Sequence, residues 1–327
     1  MVRRLPVLGT AVLVLATALT LGGGTPAPMA QPTAEQSPAS PPRSAPAGVP
    51  AFGHVFVIVM ENKEYGSVIG SRNAVYVNRL ANQYALATRF FAATHPSLPN
   101  YLALSGGSTF GIRSDCINCF VNADNLADQI EASGRTWKAY LEGMPAPCFL
   151  GDAGRYAQKH NPWVYYDDIR LDPDRCRSHV VPFTRLASDL ASGQVADFTW
   201  ITPDLCSDTH DCPVRSGDAW LARHVPAILA SPAFRHNGVL FITWDEGSSS
   251  AGCCGTAAGG HIATLVISPL ARSGYRSTVM QTSYSLLRTI EESWGLPLLN
   301  AAASAQTATL ADCFKSPSSV AEARKRS

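Results

Sequence analysis

The run His54-Val-Phe-Val-Ile-Val-Met60 is uninterruptedly apolar and stops abruptly at Glu61-Asn62. A run of this length with no polar alternation reads as a strand buried on both faces, the kind found in parallel sheets. Further strands are expected at Thr136–Tyr140, Asp197–Thr202, Gly238–Trp244 and Ile262–Ser268. Helical spacing falls between them, near 75–84, 97–105, 125–134, 183–192, 217–230 and 282–294. Alternating strand and helix predicts an α/β fold: a doubly wound, mostly parallel sheet with helices on both faces. In such sheets ligands gather at the carboxyl ends of the strands. Glu61 and Asn62 lie at one of those ends.

The chain starts with Arg3 and Arg4, an apolar stretch from Leu5 to Leu21, and a small-residue exit through Ala30. This pattern predicts a signal peptide over residues 1–30 and export of the mature protein. Pro6 and Gly9 interrupt a stretch already short for a membrane span. Residues 31–51, rich in Pro, Ala and Ser, read as a linker. Residues 52–315 are then a single folded domain, and 316–327 a flexible tail. The whole chain has 26 Lys and Arg against 25 Asp and Glu, so no polyanionic nucleic acid is implied as a partner. The later apolar runs are too short for a stable membrane span.

Nine cysteines in an exported chain point to disulfides. Cys206 with Cys212 is the most direct pairing; Cys148 with Cys176 and Cys116 with Cys119 are also plausible. An odd count leaves one thiol over. A zinc site at Cys116-x-x-Cys119 and Cys253-Cys254 is the competing reading, ranked lower because the spacings do not repeat.

Three further polar clusters follow strands or open helices. Asp245-Glu246 directly follows 238–244, as Glu61-Asn62 follows 54–60. Adjacent carboxylates suit a hard cation, because oxygen ligands must converge on it. A solvated surface pair would account for them too, but the Gly- and Ser-rich loop 247–260 brings bare backbone to that edge. Residues 204–211 supply Asp204, Asp208, His210 and Asp211 on one loop after a strand. His261 follows Gly259-Gly260. In Thr94-His-Pro-Ser-Leu-Pro-Asn-Tyr101, Ser97 precedes a helix that Pro99 could start. A hydroxyl there meets unpaired N–H groups and a positive dipole, an environment for an anion. An N-cap role alone would also explain Ser97.

Taken together, Met60-Glu-Asn62, Ser97-x-Pro-Asn100, the 204–211 loop, Trp244-Asp-Glu246 and His261 resemble the phosphoesterase family of bacterial phospholipases C and acid phosphatases, within the alkaline phosphatase superfamily. The resemblance covers about residues 52–295 and is closer to the small acid-phosphatase-like members. It implies an alkaline-phosphatase-like fold and a phosphoric ester hydrolase working through a covalent phosphoserine. Ser97 would be the nucleophile, and Glu61, Asn62, Asp245 and Glu246 would hold a divalent metal. Asp208, His210 and His261 fall where a second metal or a phosphate-binding set sits, with either histidine as a proton-transfer group. Whether one metal or two are held stays open, because Cys206 stands where the superfamily's Asp precedes its His by four. Asn100 and His95 are the candidate substrate-binding residues, and the partner is a small-molecule or lipid phosphate ester. Two alternatives stand beside this one. A sulfatase-like hydrolase is disfavoured because Tyr101 replaces the Arg of the sulfatase motif. A non-catalytic secreted metal-binding protein explains the carboxylates but not Ser97.

Overall fold

A computed structural model describes residues 48–316. The expected signal peptide, nearly all of the linker and nearly all of the tail lie outside the described residues. Among the described residues no helix is long and apolar enough to cross a membrane.

One sheet organises the chain. Its strands are β1 (Val55–Met60), β2 (Ala85–Phe91), β3 (Trp137–Leu141), β4 (Val180–Pro182), β5 (Phe198–Thr202), β6 (Val239–Trp244), β7 (His261–Ile267), β8 (Arg276–Ser277) and β9 (Gln281–Thr282). Their order is β4-β3-β5-β1-β6-β7-β2-β8, with β9 also on β2. Every pairing is parallel except those of β7, which runs against both β6 and β2. The expected α/β class with a mostly parallel sheet is therefore what forms. β1 is central, and all six of its residues are buried. Flanked by β5 and β6 and covered by helices, it has no solvated face on which a polar residue would gain anything.

Four strands, β2 and the short β4, β8 and β9, are not expected from the sequence, and β7 differs in direction. β2 escapes notice because Thr88 and Arg89 break its apolar run and alanines dilute it. β7 is antiparallel, so its first residue, His261, lies at the same sheet edge as the last residues of β2 and β6; Phe91 pairs with His261.

Four disulfides link Cys116–Cys119, Cys148–Cys176, Cys206–Cys212 and the adjacent Cys253–Cys254. The zinc reading of Cys116, Cys119, Cys253 and Cys254 is thereby corrected: within each pair the sulfurs are bonded to each other. Cys313 is the thiol left over, and it is buried.

Candidate active site

The register of the sheet builds the site. Met60 pairs with Trp244, so Glu61 and Asp245 leave adjacent strands side by side. The loop after β5 folds back onto the same edge. The Glu61 amide donates to the Asp208 carbonyl at 2.8 Å, and Thr209 Oγ1 donates to the Glu61 carbonyl at 2.8 Å. The Cys206–Cys212 bond closes that loop. β2 then delivers the chain to the Ser97–Gly106 helix, all ten of whose residues are buried. Gly259 packs on the segment between: a side chain there would meet the Thr94 carbonyl oxygen at 2.3 Å.

Ser97 is the first residue of this helix, and its hydroxyl caps no backbone group. The N-cap explanation therefore fails on contacts. Ser97 Oγ instead donates to Glu61 Oε2 at 3.2 Å and lies 3.5 Å from Glu246 Oε1. Glu246 Oε2 is 2.5 Å from His95 Nδ1, whose other nitrogen meets the Ser249 carbonyl at 3.0 Å. Asn62 sits in a left-handed conformation at φ 47°. With its amide oriented to suit its neighbours, Nδ2 donates to Asp245 Oδ1 at 3.0 Å and Glu61 Oε2 at 2.7 Å.

His160, which no sequence pattern marked, completes the cluster. It lies on a short 3₁₀ turn, Gln158–His160. Its Nε2 is 3.3 Å from Glu61 Oε2 and its Nδ1 is 3.4 Å from Asp208 Oδ2. Tyr101 stacks on the imidazole at 5.3 Å and donates its hydroxyl to Glu61 Oε1.

The electrostatics are those of an anionic hole. Glu61, Asp208 and Asp245 are all fully buried. Burial first, then the charges of Asp245 and Asp208, hold Glu61 well above the usual carboxylate range. Burial pushes Asp208 up to about 8. Asp245 is also pushed to about 8, by burial and then by Glu246. His160 moves the other way, well below its usual value, because burial and then the charges of Lys159 and His210 disfavour imidazolium. Asp208 Oδ2, Asp245 Oδ2 and His160 Nε2 have no hydrogen-bond partner. Glu61, His160 and Asp208 can each aim one ligand atom at a common point. Convergent buried carboxylates, a neutral imidazole and orphaned lone pairs together fit a divalent cation.

Other expected site residues behave differently. His210 is at the rim, its Nδ1 2.7 Å from Asp211 Oδ1 and its ring 5.7 Å from that of His160. His261 reaches the correct edge, but its ring stacks between Tyr65 and Phe91 and its Nε2 meets the Thr88 carbonyl. Those contacts occupy the faces of the ring and its Nε2. Asn100 is fully buried and uses its amide to hold the Thr94 and Pro96 backbone, at 2.7–3.0 Å. That makes it a clamp on the 94–97 segment, with no amide hydrogen left for a substrate contact.

Residues 71–297 match the Phosphoesterase family. The chain belongs to that family. Among similar phosphoesterases, a phosphatidylinositol-3-phosphatase of Mycobacterium tuberculosis is 34% identical over 258 residues, covering 77% of this chain and 80% of that protein. An acid phosphatase of Aspergillus fumigatus is 31% identical over 261 residues, 76% of this chain but 56% of the fungal protein. The fold is shared with human ectonucleotide pyrophosphatase/phosphodiesterase 5, at a TM-score of 0.59 and 9% identity, over 80% of this chain and 100% of that one. It is shared too with an alkaline phosphatase superfamily protein of Vibrio parahaemolyticus, at a TM-score of 0.53 and 12% identity, covering 79% and 72% of the two chains. This phosphoesterase is a hydrolase of phosphoric ester bonds. The sulfatase-like and non-catalytic alternatives give way to that assignment.

Proposed function

We propose that this phosphoesterase is an exported, cation-dependent hydrolase of phosphate monoesters, small or lipid-borne, with Ser97 as its nucleophile. The observation that carries the reading is the hydroxyl of Ser97 at a helix start, turned onto Glu61 and Glu246 at the convergence of β1 and β6. The monoester preference draws on the names of the relatives, a phosphatidylinositol-3-phosphatase and an acid phosphatase. Export draws on residues 1–30 and on the four disulfides.

Glu61, Asp208, Asp245 and His160 would hold the divalent cation, with Asn62 bracing Glu61 and Asp245 and with Glu246 beside them; a second cation would draw on the same acids. Such a cation lowers the pKa of a neighbouring hydroxyl and offsets charge on phosphoryl oxygens. The protein's own groups do the rest. Glu246, 3.5 Å from Ser97 Oγ and backed by His95, accepts the serine proton. Ser97 Oγ forms a bond to phosphorus as the ester P–O bond breaks, and the departing alkoxide takes a proton from His210 at the rim. Water then gives a proton to His210 and attacks phosphorus; the Ser97 Oγ–P bond breaks, Glu246 returns its proton to Ser97, and inorganic phosphate leaves. Tyr101 fixes Glu61, and Asn100 fixes the 94–97 segment.

The test is Ser97→Ala assayed with p-nitrophenyl phosphate. Turnover should fall about a thousandfold or more while the fold is kept. An acid-quenched digest of the parent protein should carry phosphate on Ser97. Near-normal turnover, or phosphate trapped on another residue, overturns the assignment.

A further inference from the structure

We propose that Lys159 and the Leu98 amide are the donors that seat the substrate's non-bridging phosphoryl oxygens, and that Asp115 is a resident anion which substrate displaces. This rests on the reading of Ser97 as the nucleophile.

A single carboxylate bridges the two donors. Leu98 N donates to Asp115 Oδ1 at 2.9 Å, and Lys159 Nζ donates to Asp115 Oδ2 at 2.9 Å. Leu98 directly follows Ser97 at the start of a ten-residue helix, where amides lack intrahelical partners and the dipole favours an anion. Lys159 directly precedes His160. One donor thus neighbours Ser97 in the chain and the other neighbours His160, and they already hold an oxyanion between them.

Asp115 is poorly placed to be only a structural acid. The site already contains Glu61, Asp208, Asp245 and Glu246. A further carboxylate beside a cluster that must bind a dianion competes with that dianion. Lys159 is the countercharge.

The donors belong to packed elements, whereas the acceptor is a partly exposed side chain. The helix is buried throughout. The turn bearing Lys159 is pinned by Gln158, whose side chain accepts from Gly151 N and donates to the Ile117 carbonyl and whose amide donates to Asp152. Asp115 follows the exposed residues Arg113 and Ser114, and its side chain is 26% accessible. It can rotate out to solvent while Ile117, beyond it, stays anchored. A phosphoryl group offers two oxygens to the same two donors, with more charge than a carboxylate.

The decisive measurement is the inhibition constant of inorganic phosphate, together with KM and kcat for p-nitrophenyl phosphate. Asp115→Asn keeps an oxygen for Leu98 N but removes the competing charge. It should tighten phosphate inhibition and lower KM, each about tenfold, the scale of one charge-assisted hydrogen bond. Lys159→Met should weaken phosphate inhibition about tenfold or more, with Lys159→Arg recovering part of it. A purely structural Asp115–Lys159 pair predicts a lower melting temperature in both variants and inhibition constants within about twofold of the parent; that result overturns the proposal. Ser97→Ala in the same assay separates the two readings. If it is inactive while the Asp115 and Lys159 variants bind phosphate normally, only the seat for the phosphoryl oxygens is wrong. If it turns over normally, the nucleophile assignment has failed as well.

Discussion

In cation-free protein, Asp245→Asn should stabilise the fold more and more as pH rises from about 6.5 to about 8. Asp245 is fully buried and pushed up to about 8, first by burial and then by the Glu246 charge. In the unfolded chain the same group titrates near 4. Between those values the native state retains a proton that the unfolded state has shed. The stability this proton contributes is complete below about 4 and is lost as pH rises through about 8, at about 1.4 kcal/mol per pH unit. The amide that replaces the carboxyl in the variant does not titrate and carries no such dependence. His160, held neutral by burial, acts with the opposite sign, but only until the unfolded imidazole loses its proton near 6.5. Glu291, buried elsewhere and also pushed to about 8, is common to both proteins and cancels; Glu61 and Asp208 do not cancel, because the Asp245 charge that raises both is absent from the variant, and their smaller loss there widens the gap in the same direction. Across the window the advantage of Asp245→Asn should therefore grow by about 2 kcal/mol. For a domain of this size that is roughly 4–8 °C in melting temperature. The assay is calorimetry of both proteins in chelator across pH 6–8, repeated with excess magnesium, calcium or zinc. A suitable divalent cation should raise the melting temperature of the parent and do little for the variant. A gap between the proteins that stays constant or shrinks with rising pH would refute the reasoning, as would equal stabilisation of both by every cation.

Two other substitutions probe the supports of the site. Tyr101→Phe removes the hydroxyl that Glu61 accepts from. It should cost about 1.5–3 kcal/mol of stability and weaken cation binding, read by calorimetry and by metal titration. Gly259→Ala places a methyl group 2.3 Å from the Thr94 carbonyl oxygen. The 94–97 segment must shift, so kcat should fall at least about tenfold with about 1–3 kcal/mol of lost stability, although no polar group is removed; unchanged kcat would show that the placement of Ser97 tolerates the shift.

The sequence by itself determined the sheet and the acids at its edge. Apolar runs such as 54–60 and 238–244 read as strands buried on both sides, and when such strands run parallel the polar residues that end them share one edge. Glu61, Asn62, Asp245 and Glu246 were legible for that reason, and the 204–211 loop was legible because it follows β5. Which way a side chain faces at that edge was decided by tertiary structure. His261 opens an antiparallel strand whose pairing with Phe91 turns the imidazole toward Tyr65 and Phe91. Asn100 is spent on local backbone for a similar reason: it lies inside a helix whose every face is covered. His160, Lys159 and Asp115 come from stretches with no period to read, because their positions are set by contacts distant in sequence. His160 acquires its role from Tyr101 against its ring and from acids 99 and 48 residues away, Glu61 and Asp208. Periodicity reports which face of a regular element is buried; it carries no information about an irregular segment, whose conformation is fixed only when the rest of the fold closes around it.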